Sequence, residues 1–189
     1  MPDVTLGDRF EEALVYAARL HRHQRRKGNR VPYVSHLMAV AALTLEHGGD
    51  EEQAVGALLH DAAEDQGGRA ELQRIEERFG PGVAAIVADC SDSLEDVKPS
   101  WRPRKEAYVA SLANKPERSL LVSLADKTHN AECIRDDHNQ LGEAVWTRFS
   151  GSGAGVRWYY TALVEGFRAH RPSPLTERLA TAVACFTSN

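Results

Sequence analysis

Apolar residues return every three or four positions along most of this chain, a period that predicts helices almost throughout. Phe10, Ala13, Leu14 and Ala17 form the first such face, with Asp8 as its expected cap. The segment His21–Tyr33 interrupts the pattern with basic and aromatic residues, and Gly28-Asn29 and Pro32 mark it as a turn or loop. A second helix is predicted from Ser35 to just before Gly48-Gly49, carrying Val40, Ala41 and Leu43. A third runs from about Asp50 to Gly67-Gly68. Leu72, Ile75 and Phe79 make a fourth, closed by Gly80, and Pro81 opens a fifth through Val83, Ile86 and Val87.

The segment Asp92–Pro103 is the longest predicted loop. Helices follow over Arg104–Leu112 and Ser119–Asn130, then a short one over Glu143–Phe149. The run Gly151–Gly155 is read as a flexible turn, Val156–His170 as a long helix and Thr176–Phe186 as the last. No stretch alternates with period two, and no internal repeat is present. The pattern predicts an all-α fold, a single compact helical bundle over residues 1–189.

One predicted helix carries chemistry as well as packing. In GALLHDAAED (Gly56–Asp65), taking His60 as zero, Glu64 falls at about 40°, Asp61 at about 100° and Asp65 at about 140° on a regular helix. Val55, Leu59 and Ala62 occupy the opposite side. An imidazole and three carboxylates thus sit on a helix whose flanks are apolar. Such groups stay charged in a low-dielectric place only when paired or bound to a cation. On residue types alone, a surface helix with His–Glu pairing explains the stretch as well as a metal site does.

Other positions shift the balance. His36 stands in the first turn of an apolar helix, and Asp126 follows Leu124-Ala125 on another. With His60 and Asp61 they form a mixed nitrogen and oxygen set suited to a divalent first-row ion such as manganese, iron or zinc. The bland alternative for Asp126 is a salt bridge to an arginine. Glu64 and Asp65, one turn beyond the His-Asp pair, are placed to handle a water or a proton. Asp126, His129 and Asn130 share one helix face. The cluster Arg22, Arg25, Arg26, Lys27 and Arg30 is either a solvated loop or a phosphate-binding patch, in which the Arg26 guanidinium can stack on a base.

Bulk properties exclude several classes. The 189 residues suffice for one domain with a real core, and 42% hydrophobic with 26% charged is ordinary for a soluble protein. A net charge of −4 argues against general nucleic-acid or membrane-surface binding. No run reaches a membrane span and the N-terminus lacks a signal pattern, so the chain is expected to be cytoplasmic. Cys90, Cys133 and Cys185 are widely spaced and odd in number, so they are expected to be free packing thiols. The glycines of Gly151–Gly155 are followed by no Gly-Lys-Ser/Thr and are no phosphate loop. Trp101, Trp146 and Trp158 are expected in the core or a pocket wall.

Taken in order, LHRHQRRKGNRVPYVSH (Leu20–His36), ALLHDAAED (Ala57–Asp65), IEERFGPGVAAIV (Ile75–Val87) and LADKTHN (Leu124–Asn130) resemble one family. It is the HD-domain hydrolase module of the RelA/SpoT alarmone enzymes, and the size resembles the small Mesh1-like alarmone hydrolases. The resemblance spans about residues 8–135, with C-terminal helices at about 143–187 resembling the family only loosely. It implies an all-helical fold and one Mn²⁺ bound by His36, His60, Asp61 and Asp126. It also implies hydrolysis of the 3′-pyrophosphate of (p)ppGpp to GDP or GTP and pyrophosphate, and no synthetase domain. In that family the acids matching Glu64 and Asp65 handle water and proton, those matching Arg26 and Lys27 contact the nucleotide, and Asn130 matches a ribose-holding asparagine.

Three departures from the family pattern stand out. Leu37 replaces a proline, the loop between Lys27 and Tyr33 is one residue longer, and Lys127-Thr128 replaces Arg-Leu. The expected partner is a small nucleotide, with no nucleic acid and no membrane. Rival readings are another nucleotide substrate (an adenine alarmone, a deoxynucleotide, or NADPH at its 2′-phosphate) and a non-catalytic nucleotide-binding module.

Overall fold

The computed structural model describes residues 4–95 and 99–187. The helices are α1 (Asp8–Leu20), α2 (Val34–Glu46), α3 (Glu51–Leu59), α4 (Ala62–Gln66), α5 (Gly68–Phe79), α6 (Pro81–Cys90), α7 (Trp101–Ser111), α8 (Glu117–Leu141), α9 (Ser152–His170) and α10 (Pro174–Thr187). Two 3₁₀ segments, Leu112–Asn114 and Gly142–Arg148, flank α8. The fold is all-α. Among the described residues the one β feature is an isolated bridge between Arg25 and Pro32.

α8 is the axle. It packs against α2, α3, α6 and α10, and α10 in turn leans on α9. Leu120, Leu121, Val122, Leu124 and Ala125 are buried in its first half, so its N-terminal turns run through the core. The other side of that core is α3, whose Val55, Leu58 and Leu59 are buried. α3 starts on a capping box in which Asp50 accepts from the Gln53 amide while Gln53 accepts from the Asp50 amide. Gly56 lets α3 approach α6: a Cβ there would come within 2.7 Å of Ile86 Cγ2.

Several boundaries differ from the sequence expectation, each for a local reason. Gly7, not Asp8, caps α1, and Asp8 is its first helical residue, where an acid favours the dipole. The predicted third helix is two: α3 ends at Leu59, and Asp61 takes φ −98°, ψ −2° before α4 begins. No glycine or proline announces that bend. α7 begins at Trp101 because Pro103 lies in its first turn, where a missing N–H is no loss. The predicted Asp92–Pro103 loop is therefore shorter, and part of it lies outside the described residues. α8 continues eleven residues past Asn130, and α9 absorbs Ser152 to Gly155. Gly151 and Gly155 pack against the Trp101 ring, which a side chain would strike.

Candidate active site

The bend at His60-Asp61 brings together what a straight helix would separate. Asp61 Oδ2 lies 3.0 Å from His60 Nε2 and 3.6 Å from His36 Nε2. From α8, Asp126 Oδ1 lies 3.2 Å from His36 Nε2 and 3.5 Å from His60 Nε2. His36, His60 and Asp126, all buried, offer ligand atoms within 4.8 Å of one another, so they could hold a metal ion, with Asp61 beside them. Despite the near oxygens, neither Nε2 has a hydrogen-bond partner. Two buried, unpartnered imidazole nitrogens facing two carboxylates fit a divalent cation with N and O ligands.

Each ring is oriented from behind. His60 Nδ1–H donates to the Ala57 carbonyl at 2.7 Å, which leaves the Nε2 lone pair turned into the site. His36 Nδ1 lies 2.8 Å from His129 Nδ1. Burial and the nearby Arg26 charge push His129 down to about 4, so it is neutral, and in the tautomer with its proton on Nε2 it accepts from His36 Nδ1–H. His36 then also presents a lone pair at Nε2. Burial opposes charging Asp126, but the Lys127 ammonium holds its carboxyl well below the usual range. Lys127 donates to Asp126 Oδ2 at 2.6 Å and Asn130 to Oδ1 at 2.5 Å. Tyr33 donates to Asp61 Oδ2 at 2.5 Å. His129, Lys127 and Tyr33 were not assigned these tasks from sequence. The shared face of Asp126, His129 and Asn130 was the visible signal for His129.

Glu64 and Asp65 lie on the short α4. Glu64 accepts from the Asp92 backbone N–H at 3.0 Å, and Asp65 accepts from the Gln24 amide at 2.7 Å. Burial and the Asp92 charge push the Glu64 carboxyl upward. The Asp92 side chain is only 4% exposed, with Arg104 on Oδ1 at 2.6 Å and Lys105 on Oδ2 at 2.5 Å. No sequence signal marked Asp92.

Its environment sets a pH dependence. Burial alone would raise the Asp92 carboxyl, but Lys105 and Arg104 win and bring it from 3.8 down to about 2. A carboxyl lowered in the fold adds stability above its unfolded value and loses it as pH falls through its folded value. Asp92→Asn should therefore destabilise the fold at neutral pH by linkage, by less than the whole shift because Glu64 loses a repelling neighbour. In urea titrations the gap to wild type should close as pH drops from 3.8 toward about 2. A gap independent of pH would contradict this assignment.

Tyr33 and Asn130, which bond Asp61 and Asp126, also line a pocket of about 310 Å³. Arg26, Lys27 and Lys105 give it positive charge, while Tyr33, Trp101 and Phe149 give it aromatic walls. Arg26 and Lys27 come from the basic loop, a narrow hairpin closed by Arg26 N–H to Val31 O at 2.9 Å and Tyr33 N–H to Gln24 O at 3.1 Å. Gly28 turns the loop at φ 79°. Arg26 Nη2 donates to Asn130 Oδ1 at 2.7 Å, which links the loop to Asp126 through one amide. The loop thus directs Arg26 at Asn130 and the pocket. Val156, Tyr159 and Tyr160 of α9 close the far wall, so the C-terminal helices help to build the pocket. Cys133 lines it, Cys90 is buried and Cys185 is exposed rather than packed; all three are free thiols.

Helices that bring a His-Asp pair, a preceding histidine and a later aspartate to one point define the HD class. Residues 13–152 match the HD domain family, and the chain belongs to it. It is 36% identical over 125 residues to guanosine-3′,5′-bis(diphosphate) 3′-pyrophosphohydrolase MESH1 of Drosophila melanogaster, covering 65% of this chain and 67% of that one. It is 35% identical over 132 residues to the bifunctional (p)ppGpp synthase/hydrolase SpoT of Escherichia coli, covering 67% of this chain and 18% of that protein. The solved structure of a metazoan SpoT ortholog described as hydrolysing ppGpp superposes with a TM-score of 0.74 at 26% identity, covering 95% and 96% of the two chains. Among the described residues no helix is long and apolar enough to cross a membrane.

Proposed function

We propose that this chain hydrolyses the 3′-pyrophosphate of (p)ppGpp, giving GDP or GTP and pyrophosphate, with Mn²⁺ held by His36, His60, Asp61 and Asp126. The observation that carries the reading is the orphaned pair of imidazole nitrogens beside two carboxylates, which Tyr33 and Asn130 join to a cationic, aromatic-walled pocket. The names of the relatives supply the substrate. When bound, the ion supplies Lewis acidity at the phosphoryl group and makes water easier to deprotonate.

The chain's own residues supply the rest. In the reaction a water oxygen bonds to phosphorus while the bond from phosphorus to the ribose 3′ oxygen breaks. Asp65, held by the Gln24 amide, takes the water's proton. Glu64, pushed toward its protonated form, supplies a proton to the departing ribose oxygen. Lys105, Arg26 and Lys27 offset the phosphate charge, Arg26 also lies against the base, and Asn130 holds the ribose.

The test is pyrophosphate release from ppGpp with added Mn²⁺, beside a chelator control and Asp61→Ala. Turnover that both controls abolish supports the reading. Chelator-insensitive turnover removes the ion from it, and no turnover with the ion still bound removes the substrate and sends attention to adenine alarmones, NADPH and deoxynucleotides. Arg26→Ala is expected to raise KM by roughly tenfold or more with kcat less affected, the mark of lost binding shared by ground and transition states. A fall in kcat alone would assign Arg26 a different task.

A further inference from the structure

The pocket contains one group that a polyanion should repel. Asp137 lines it, and it is the one carboxylate among the described lining residues. An acid in a cavity suited to phosphates is tolerated where a cation pairs with it, and it favours a part of the ligand that donates hydrogen bonds over one that carries negative charge.

α8 tells where along the ligand that acid stands. Asn130, Cys133 and Asp137 follow Asp126 by four, seven and eleven residues, so at 100° per residue all four fall within about 60° of arc on one face. At 1.5 Å per residue, Asn130 lies roughly 6 Å along the axis from Asp126 and Asp137 roughly 16 Å. Asp137 is therefore at the end of the pocket remote from the phosphate chemistry, beyond the ribose, where a base would lie. Its charge is paired from the side: Arg148 Nη1 donates to Oδ2 at 2.6 Å. Arg148 is in turn packed over Gly28, where a Cβ would come within 2.3 Å of its Cδ. One N–H occupies only part of a carboxylate's roughly four acceptor sites.

Resting on the reading above, we infer that Asp137 selects guanine, its carboxylate accepting from N1–H and the exocyclic N2–H₂. Adenine carries an unprotonated N1 at the matching position, and that lone pair faces the carboxylate. A paired contact of this kind discriminates by roughly ten- to a hundredfold.

Two measurements test it. The first is kcat/KM for ppGpp and for its adenine counterpart with wild type, Asp137→Asn and Arg148→Gln. Wild type should favour guanine, Asp137→Asn should lower the guanine-to-adenine ratio by roughly ten- to a hundredfold through KM, and Arg148→Gln, which breaks the ion pair but keeps the acid, should retain the preference. A ratio unchanged in Asp137→Asn, including an equal loss on both substrates, overturns the inference and leaves Asp137 a purely structural partner of Arg148. The second is calorimetric binding of GDP and ADP. A guanine preference that vanishes in Asp137→Asn upholds the inference even if neither tetraphosphate is turned over, in which case it is the reaction that has been misread. Equal binding of the two by wild type overturns it.

Discussion

Asp126→Asn is expected to remove the ion and the turnover together, lowering activity on ppGpp by at least about 10³-fold. The substitution keeps the shape and takes away the charge on which four neighbours depend. Lys127 donates to one oxygen, Asn130 to the other, and both His36 and His60 Nε2 lie within 3.5 Å of the carboxylate. In its place an amide nitrogen would face either Lys127 or the ion, and both contacts are repulsive. Metal content by elemental analysis should fall with activity, while circular dichroism reports whether the helices remain. Folded protein that keeps one equivalent of ion and full turnover would show that His36, His60 and Asp61 suffice without Asp126. Because the buried Lys127 loses its partner, thermal stability should also drop, and Asp126→Asn with Lys127→Met should recover part of that stability without recovering metal.

Glu64→Gln is expected to have the second largest effect, a loss of roughly a hundredfold or more in kcat with the ion retained. The side chain would still accept from the Asp92 amide, so the local fold should survive. What disappears is a carboxyl whose proton is held by burial and by the negative charge of Asp92. A required proton on a carboxyl raised in the fold means that kcat falls as pH climbs through that raised value. The same sign governs stability, since charging Glu64 costs more in the fold than in the unfolded chain. In Glu64→Gln the falling limb of kcat should vanish along with most of the rate. A variant with near wild-type kcat, or one that has lost its ion, would take Glu64 out of proton transfer.

The two variants probe parts of the site that differ in how visible they are in the chain. His36, His60, Asp61 and Asp126 could be singled out because each interrupts an apolar helix, where an unpartnered polar group is costly. The partners that orient them carry no such mark. Lys127 looks like an ordinary exposed lysine, yet it is drawn inward over the Tyr108 ring at 4.7 Å and onto Asp126. Asp92 sits in a polar stretch that predicts only a loop. Tyr33 ends a loop whose fold depends on two backbone bonds across the hairpin. The resemblance implies a ribose contact for Asn130, but its contact with Arg26 across 104 positions of sequence is a property of packing.

Local periodicity determined the all-α class, most helix positions and the apolar faces of α1, α2, α5 and α6, because those depend on residues three and four apart. Order and spacing of four short motifs determined the family. The tertiary structure alone decided three further matters. It bends the chain at Asp61, which brings the carboxylate to both imidazoles, although nothing local demands a break there. It extends α8 through the polar run after Asn130, because α10 packs along it and supplies the burial that the run lacks by itself. It also turns α9 onto the pocket to complete its wall, with Arg148 paired to Asp137. Contacts between residues distant in sequence leave no period in the chain, so only the folded molecule shows them.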